Sequence, residues 1–126
     1  MTFPAGAKTM SFIITRDRAR SVAFYRDVLG FAQTGEDDFA IVFDLNGVML
    51  RITTIKDHQP SKHTVLGWEV KDIVAEVKAL KAKGVAFQTY EGFGQDELGI
   101  WNSPDGKARV AWFLDPDGNN LSFAQF

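Results

Sequence analysis

The chain has 126 residues, of which 45% are hydrophobic and 24% charged, as in an ordinary soluble globular domain. The formal net charge is −2, and Lys and Arg are scattered, so we expect no nucleic-acid partner. There is no cysteine, which excludes disulfides, thiol catalysis and cysteine-bound metals. No apolar run approaches the length of a membrane span, and residues 1–8 lack a signal pattern, so we expect a cytoplasmic protein without a membrane partner.

The first half of the chain predicts one strand, one helix and three further strands. Met10–Arg16 is strand-like, Asp17 can cap the following helix, and Gly30 ends the helical spacing of apolar residues. The dipeptide Asn46-Gly47 indicates a hairpin turn. The three later strands are predicted over Phe31–Thr34, Phe39–Phe43 and Val48–Thr54.

The second half follows the same order after a polar segment, His58–Lys62, that reads as a linker. His63–Val70 is strand-like, Asp72 can cap a helix, and Gly84 ends it. The later strands are predicted over Val85–Thr89, Ala108–Leu114 and Asn120–Phe126, with a tight turn at Asp115–Gly118.

The two halves therefore repeat one unit. Asp17 and Asp72 lie 55 positions apart, whereas the turn glycines Gly47 and Gly118 lie 71 apart, so the second half carries about 17 extra residues within Tyr90–Lys107. The repeat predicts an α+β fold, in which two βαβββ modules form a curved, mostly antiparallel eight-stranded sheet around a cleft, with helices outside. The short linker indicates a single domain over 1–126, with modules at about 8–57 and 63–126 and the linker at about 58–62.

Four segments of this repeat resemble the vicinal oxygen chelate superfamily, which includes glyoxalase I, bleomycin-resistance proteins, fosfomycin-resistance enzymes and extradiol dioxygenases. The segments are Asp17–Phe31, Trp68–Val85, Phe113–Asn119 and Leu121–Gln125. The resemblance implies the two-module fold and a homodimer, because members often pair their modules across a dimer. The chemistry of the family is diverse, so the fold alone does not give the function.

The resemblance also implies where a metal would bind. In metal-using relatives the ligands come from the first and fourth strands of each module, which corresponds to Met10, Arg51, Val65 and Ser122 in this chain. Divalent cations prefer carboxylate oxygens or imidazole nitrogens, and Arg is itself a cation. We therefore expect no metal and no cofactor. His63, two residues before Val65, could add one imidazole, but a partly exposed histidine beside the linker is the simpler interpretation.

Strand alternation predicts which side chains face the cleft. The predicted set is Met10, Phe12, Ile14, Met49, Arg51 and Thr53 in the first module, and Val65, Gly67, Glu69, Asn120, Ser122 and Ala124 in the second. Arg51 and Glu69 are the charged members, and a charge in an apolar setting needs a partner. Arg51 could pair with Glu69, with another acid such as Asp44, or with an anionic group of a ligand.

The extra segment of the second half is rich in Gly and aromatic residues. Tyr90, Phe93, Trp101 and Trp112 could stack on a flat or apolar ligand, with the glycines allowing the loop to move. The alternative is a surface loop whose aromatic rings pin it to the sheet.

The sequence favours a protein that binds a small apolar or anionic molecule without the usual metal. The candidate ligand-binding residues are Met10, Phe12, Arg51, Glu69, Tyr90, Phe93, Trp101 and Ser122. The alternatives are a metal-dependent enzyme resembling glyoxalases or dioxygenases, a metal-free enzyme in which Arg51 and Glu69 are catalytic, and a structural or protein-binding role. No nucleophile–base pair or phosphate-binding loop is evident.

Overall fold

The computed structural model describes residues 2–126, and the chain divides into two compact units that meet between His58 and Gln59. The first unit contains β1 (Met10–Thr15), α1 (Arg18–Val22), a π-helical segment (Ala23–Val28), β2 (Ala32–Glu36), β3 (Ala40–Leu45) and β4 (Val48–Thr54). The second contains β5 (Leu66–Glu69), α2 (Ile73–Ala82), β6 (Trp101–Asn102), β7 (Arg109–Leu114) and β8 (Asn120–Gln125). Within residues 2–126, no helix has the length and apolar character needed to cross a membrane.

The predicted pair of βαβββ modules is confirmed, with a separate four-stranded sheet in each unit. The strand orders are β1-β4-β3-β2 and β5-β8-β7-β6. In both sheets the first and last strands of the unit pair in parallel, and the other pairs are antiparallel. The two units therefore share one topology, as the sequence repeat predicts.

Matched residues at the helix ends explain why the repeat is visible in the sequence. The carboxylates of Asp17 and Asp72 each accept a hydrogen bond from the backbone N–H three residues later, at 3.2 and 3.1 Å. Gly30 and Gly84 follow the helices with φ of 80° and 91°, a left-handed conformation that favours glycine. The first helix differs from expectation because it widens over Ala23–Val28, where the N–H of Leu29 bonds to the carbonyl of Phe24.

The first sheet has one buried face and one open face, as strand alternation predicts, whereas the face of the second sheet opposite the core is open only in part, because Asn120 and Ser122 of β8 are buried there. In β4, Leu50 and Ile52 are fully buried, whereas Met49 between Val48 and Leu50 is 42% exposed. In β8, Leu121 is fully buried on the core-facing side of the second sheet. Removal of these apolar side chains from water stabilises each unit by about 25 cal/mol per Å² of buried apolar area.

The edge of the second sheet differs from the prediction. Val85–Thr89 is not a strand, because it makes only a single bridge, between Phe87 and Phe113. The strand on this edge is β6, which pairs with β7 and lies inside the segment that the sequence assigns to a loop. The extra residues thus leave and rejoin the same edge of β7. Gly99 allows this return, because its φ is 86° and an added Cβ would lie 3.4 Å from the Cβ of Phe87.

We define the insert as residues 88–100, the chain between these two contacts with β7. One side chain, Gln95, closes it: its Oε1 accepts from the N–H of Tyr90 at 2.6 Å. Its Nε2 donates to the carbonyls of Gln88 and Gly99, at 3.0 and 2.7 Å. Ile100 at the end of the insert is fully buried. The insert is therefore a hydrogen-bonded loop anchored to the sheet at both ends.

We predict that Leu50→Ala will lower the free energy of unfolding by about 2–5 kcal/mol, because it leaves a cavity in the buried face of the first sheet. Met49→Ala, one residue earlier on the open face, should change it by no more than about 1 kcal/mol. Urea unfolding followed by circular dichroism measures both values. Equal losses in the two variants would contradict the assignment of the faces.

Candidate functional site

The open face of the second sheet carries four aromatic side chains in mutual contact, which we call the outer aromatic cluster. Ring centroids lie 5.4 Å apart for Tyr90 and Phe93, 5.5 Å for Tyr90 and Trp112, 5.9 Å for Phe93 and Trp112, and 6.4 Å for Trp101 and Trp112. Trp112 is the centre, because it contacts all three others. The cluster joins the insert, β6 and β7, and Phe93 is 49% exposed.

A second group of rings packs on the opposite face of the same sheet. It consists of Trp68, Phe87, Phe113 and Phe123, whose centroids lie 5.2–6.4 Å apart. Successive side chains of a strand point to opposite faces, so Trp112 and Phe113 belong to different groups. Phe113 is fully buried, whereas Trp112 is partly exposed. Phe113 and Phe123 are core, and the other rings of both groups are partly exposed except Phe93, which is the most exposed.

A buried amide lies at the edge of the outer aromatic cluster. The Nδ2 of Asn120 donates to the Tyr90 hydroxyl at 2.9 Å and to the carbonyl of Lys62 at 3.4 Å. Its Oδ1 accepts from the hydroxyl of Thr64 at 3.1 Å. Asn120 is only 3% exposed, so these bonds satisfy an amide that has little access to water. The sequence predicts Asn120 on this face without a role for it, and it gives no signal for Thr64.

Ser122 and Glu69 lie on the same face as the outer aromatic cluster, where Ser122 is buried with 8% exposure. Ser122 is paired in register with Trp112 on one side and with Gly67 on the other. A Cβ on Gly67 would lie 2.8 Å from the Ser122 hydroxyl oxygen, so glycine leaves the room that this side chain occupies. Glu69 is exposed, two residues further along β5.

The open face of the first sheet carries Met10 and Phe12, both exposed, beside Met49 and Arg51. A shallow groove of about 620 Å³ lies at one end of this face and is lined in part by Met10, Met49 and Asp44. The carboxylate of Asp44 already accepts from the N–H of Gly47 at 3.0 Å. The groove therefore offers mainly apolar surface, and the aromatic candidates are not part of it.

The partner of Arg51 is Asp37, and not Glu69 or Asp44 as the sequence suggests. The guanidinium donates to the Asp37 carboxylate at 3.0 Å. The same carboxylate accepts from the N–H groups of Phe39 and Ala40, both at 2.8 Å, in the turn between β2 and β3. The hydrogen bond from Arg51, followed by those two N–H groups, lowers the pKa of the Asp37 carboxyl below its ordinary value. The charge of Arg51 is thus offset by a carboxylate of its own unit.

The four positions implied for a metal do not fit a divalent ion. Met10 and Arg51 lie on the first sheet, Ser122 lies on β8, and Val65 precedes β5. The predicted strand placement of His63 is wrong, because β5 begins only at Leu66. Thioether, guanidinium, isopropyl and hydroxyl groups are a poor donor set for such a cation. Over residues 2–126, His, Asp and Glu side chains form no group of three or more that could hold a metal.

We predict that Asp37→Asn will lower the free energy of unfolding at neutral pH by removing the charge partner of Arg51. The folded-state pKa of Asp37 is lowered, so its contribution is present above the unfolded value of about 3.9 and is lost as the pH falls through the folded value. The difference from wild type should therefore shrink in acid. Urea unfolding at several pH values measures it, and a difference that stays constant with pH would refute the ion pair.

Comparison with solved structures shows the same fold in several proteins. A glyoxalase family protein from Enterococcus faecalis is 16% identical with a TM-score of 0.75, covering 95% of this chain and 98% of that one. An integron cassette protein from the mobile metagenome of the Halifax Harbour sewage outfall is 22% identical, with a TM-score of 0.75 and coverage of 96% and 99%. A genomically encoded fosfomycin resistance protein from Listeria monocytogenes is 13% identical, with a TM-score of 0.75 and coverage of 98% and 95%.

Sequence comparison gives the family. No curated protein matches the chain. The family model of the Glyoxalase/Bleomycin resistance protein/Dioxygenase superfamily matches residues 8–123, nearly the whole chain. The protein therefore belongs to the Glyoxalase/Bleomycin resistance protein/Dioxygenase superfamily.

Proposed function

We propose that this protein binds a flat, apolar small molecule against the outer aromatic cluster, without a metal ion. The observation that carries the proposal is the contact of Tyr90, Phe93 and Trp101 with Trp112 on an open sheet face. A flat ligand would cover aromatic surface that water now reaches. Such burial is favourable by about 25 cal/mol per Å², and offset or edge-to-face ring contacts add about 0.5–1.5 kcal/mol.

The construction of the insert supports binding in preference to a structural role alone. Gln95 and the sheet contacts hold the insert at its ends. Phe93 contacts Tyr90 and Trp112 yet remains 49% exposed, so its ring is only partly used in packing. A loop that is already ordered loses little conformational entropy when a ligand binds, which favours affinity.

The charges of the chain favour a neutral ligand over the anionic one that Arg51 suggests. Arg51 already donates to Asp37. A ligand carboxylate would meet a guanidinium whose charge is already offset by this carboxylate. The same pairing weakens the case for a metal-free enzyme that uses Arg51 and Glu69, because the charge of the cation is offset in the same way. We therefore propose an apolar binding site.

A metal-dependent reaction is the second candidate function, because the superfamily includes dioxygenases. We predict less than one equivalent of bound metal after incubation with zinc, nickel, manganese or ferrous iron and dialysis. The reason is the chemistry of Met10, Arg51, Val65 and Ser122, which offers no carboxylate or imidazole. Elemental analysis measures the stoichiometry. One tightly held ion per chain would overturn the proposed metal-free function.

We predict that Phe93→Ala will weaken binding of the neutral fluorescent probe N-phenylnaphthylamine roughly fivefold, a loss of about 1 kcal/mol from a half-exposed aromatic ring. Probe fluorescence and quenching of tryptophan emission measure the affinity. Phe39→Ala is the matched control, since Phe39 is 76% exposed and lies in the first unit. If both variants weaken binding equally, or if the wild type does not bind the probe, the proposed site is wrong.

We further propose that the protein is a cytoplasmic homodimer. The dimer follows from the family resemblance. Sedimentation equilibrium gives the oligomeric state directly.

A further inference from the structure

We propose that the ligand carries a neutral hydrogen-bond acceptor, such as a ketone or amide carbonyl, and that the hydroxyl of Tyr90 donates to it. This inference rests on the proposed function, because it assumes that the ligand lies against the outer aromatic cluster. It adds a directional contact to a site that is otherwise apolar.

The orientation of the Asn120 amide is determined by its neighbours. A backbone carbonyl can only accept, so the amide atom that faces the carbonyl of Lys62 is the Nδ2 donor. The same nitrogen lies 2.9 Å from the Tyr90 hydroxyl oxygen. On the other side, Oδ1 accepts from the Thr64 hydroxyl. Both hydrogens of the amide nitrogen are thus used, and one of them points at Tyr90.

The Tyr90 hydroxyl is therefore an acceptor towards Asn120, and its own hydrogen must point elsewhere. A phenol can accept and donate at the same time. Within residues 2–126, no protein group accepts this hydrogen, because the bond from Asn120 is the one hydrogen bond of the Tyr90 side chain. A donor hydrogen that no protein group accepts is available to an acceptor on a ligand at the proposed site.

The position of this donor is fixed from three directions. The Tyr90 ring contacts Trp112 and Phe93, with centroids 5.5 and 5.4 Å away. Its backbone N–H is held by Gln95, and its hydroxyl is held by Asn120. A donor that is already in place costs little entropy to use, so it can select among ligands of similar shape.

The charge next to Tyr90 in the sequence favours a neutral acceptor. Glu91 follows Tyr90 directly and is exposed. Its carboxylate would repel a carboxylate or phosphate on the ligand. A carbonyl accepts the same hydrogen bond without that repulsion.

The test compares two probes of nearly equal shape, acetylnaphthalene and ethylnaphthalene, in the wild type and in Tyr90→Phe. The substitution keeps the ring and removes the donor. We expect the preference for acetylnaphthalene over ethylnaphthalene to be stronger in wild type than in Tyr90→Phe. The ratio of the two affinities should fall about 3- to 10-fold in the variant, which is the usual effect of one hydrogen bond. Quenching of tryptophan fluorescence measures each affinity.

Two further measurements distinguish loss of the hydrogen-bond donor from a general change in packing. The infrared carbonyl band of bound acetylnaphthalene should lie at lower wavenumber in wild type than in Tyr90→Phe. Thr64→Val, which removes a bond that orients Asn120, should partly reduce the preference, and Thr64→Ser should restore it.

The outcomes distinguish this inference from the proposed function. If neither probe binds wild type, the proposed function is wrong, and the inference falls with it. If both probes bind but Tyr90→Phe leaves the affinity ratio and the carbonyl band unchanged, the aromatic site stands and the inference is wrong.

Discussion

The alternation of side chains along β7 is the constraint on which the second unit depends. Phe113 enters the inner group of rings and Trp112, its neighbour in sequence, enters the outer one. A shift of β7 by one residue would exchange them, placing a tryptophan in the core and a fully buried phenylalanine in water. The register of β7 against β8 therefore supports both the stability of this unit and the existence of its accessible aromatic face.

Much of the fold could be predicted from local signals. Asp17 and Asp72 cap helices through bonds to nearby backbone, and Gly30 and Gly84 end them with backbone angles that few other residues adopt. These interactions are short in sequence, so their residue types reveal them. The period-two pattern of β4 likewise separates buried Leu50 from exposed Met49 and partly exposed Arg51, because burial of one face requires it.

Contacts that depend on how a loop or turn folds back on the sheet could not be predicted in this way. The insert returns to the edge that it left because Gln95 bonds to three backbone groups and Gly99 passes close to Phe87. A glutamine within a loop carries no sequence signal of that role. The pairing of Arg51 with Asp37 was missed for a similar reason, since it depends on how the turn between β2 and β3 folds. The aromatic residues of the candidate site can be named from the sequence, but their common contact with Trp112 is visible only in the structure.

The bonding of the insert has a consequence for how its chemistry can change. Gln95 connects Gln88, Tyr90 and Gly99 through backbone atoms, so the frame of the insert does not depend on the side chain at position 93. Gly92 and Gly94 on either side have φ of 84° and 68°, a conformation that favours glycine, so they belong to the frame. Phe93 stands between them, next to the rings of Tyr90 and Trp112. Substitution of Phe93 would therefore change the ring surface of the proposed site without refolding of the unit.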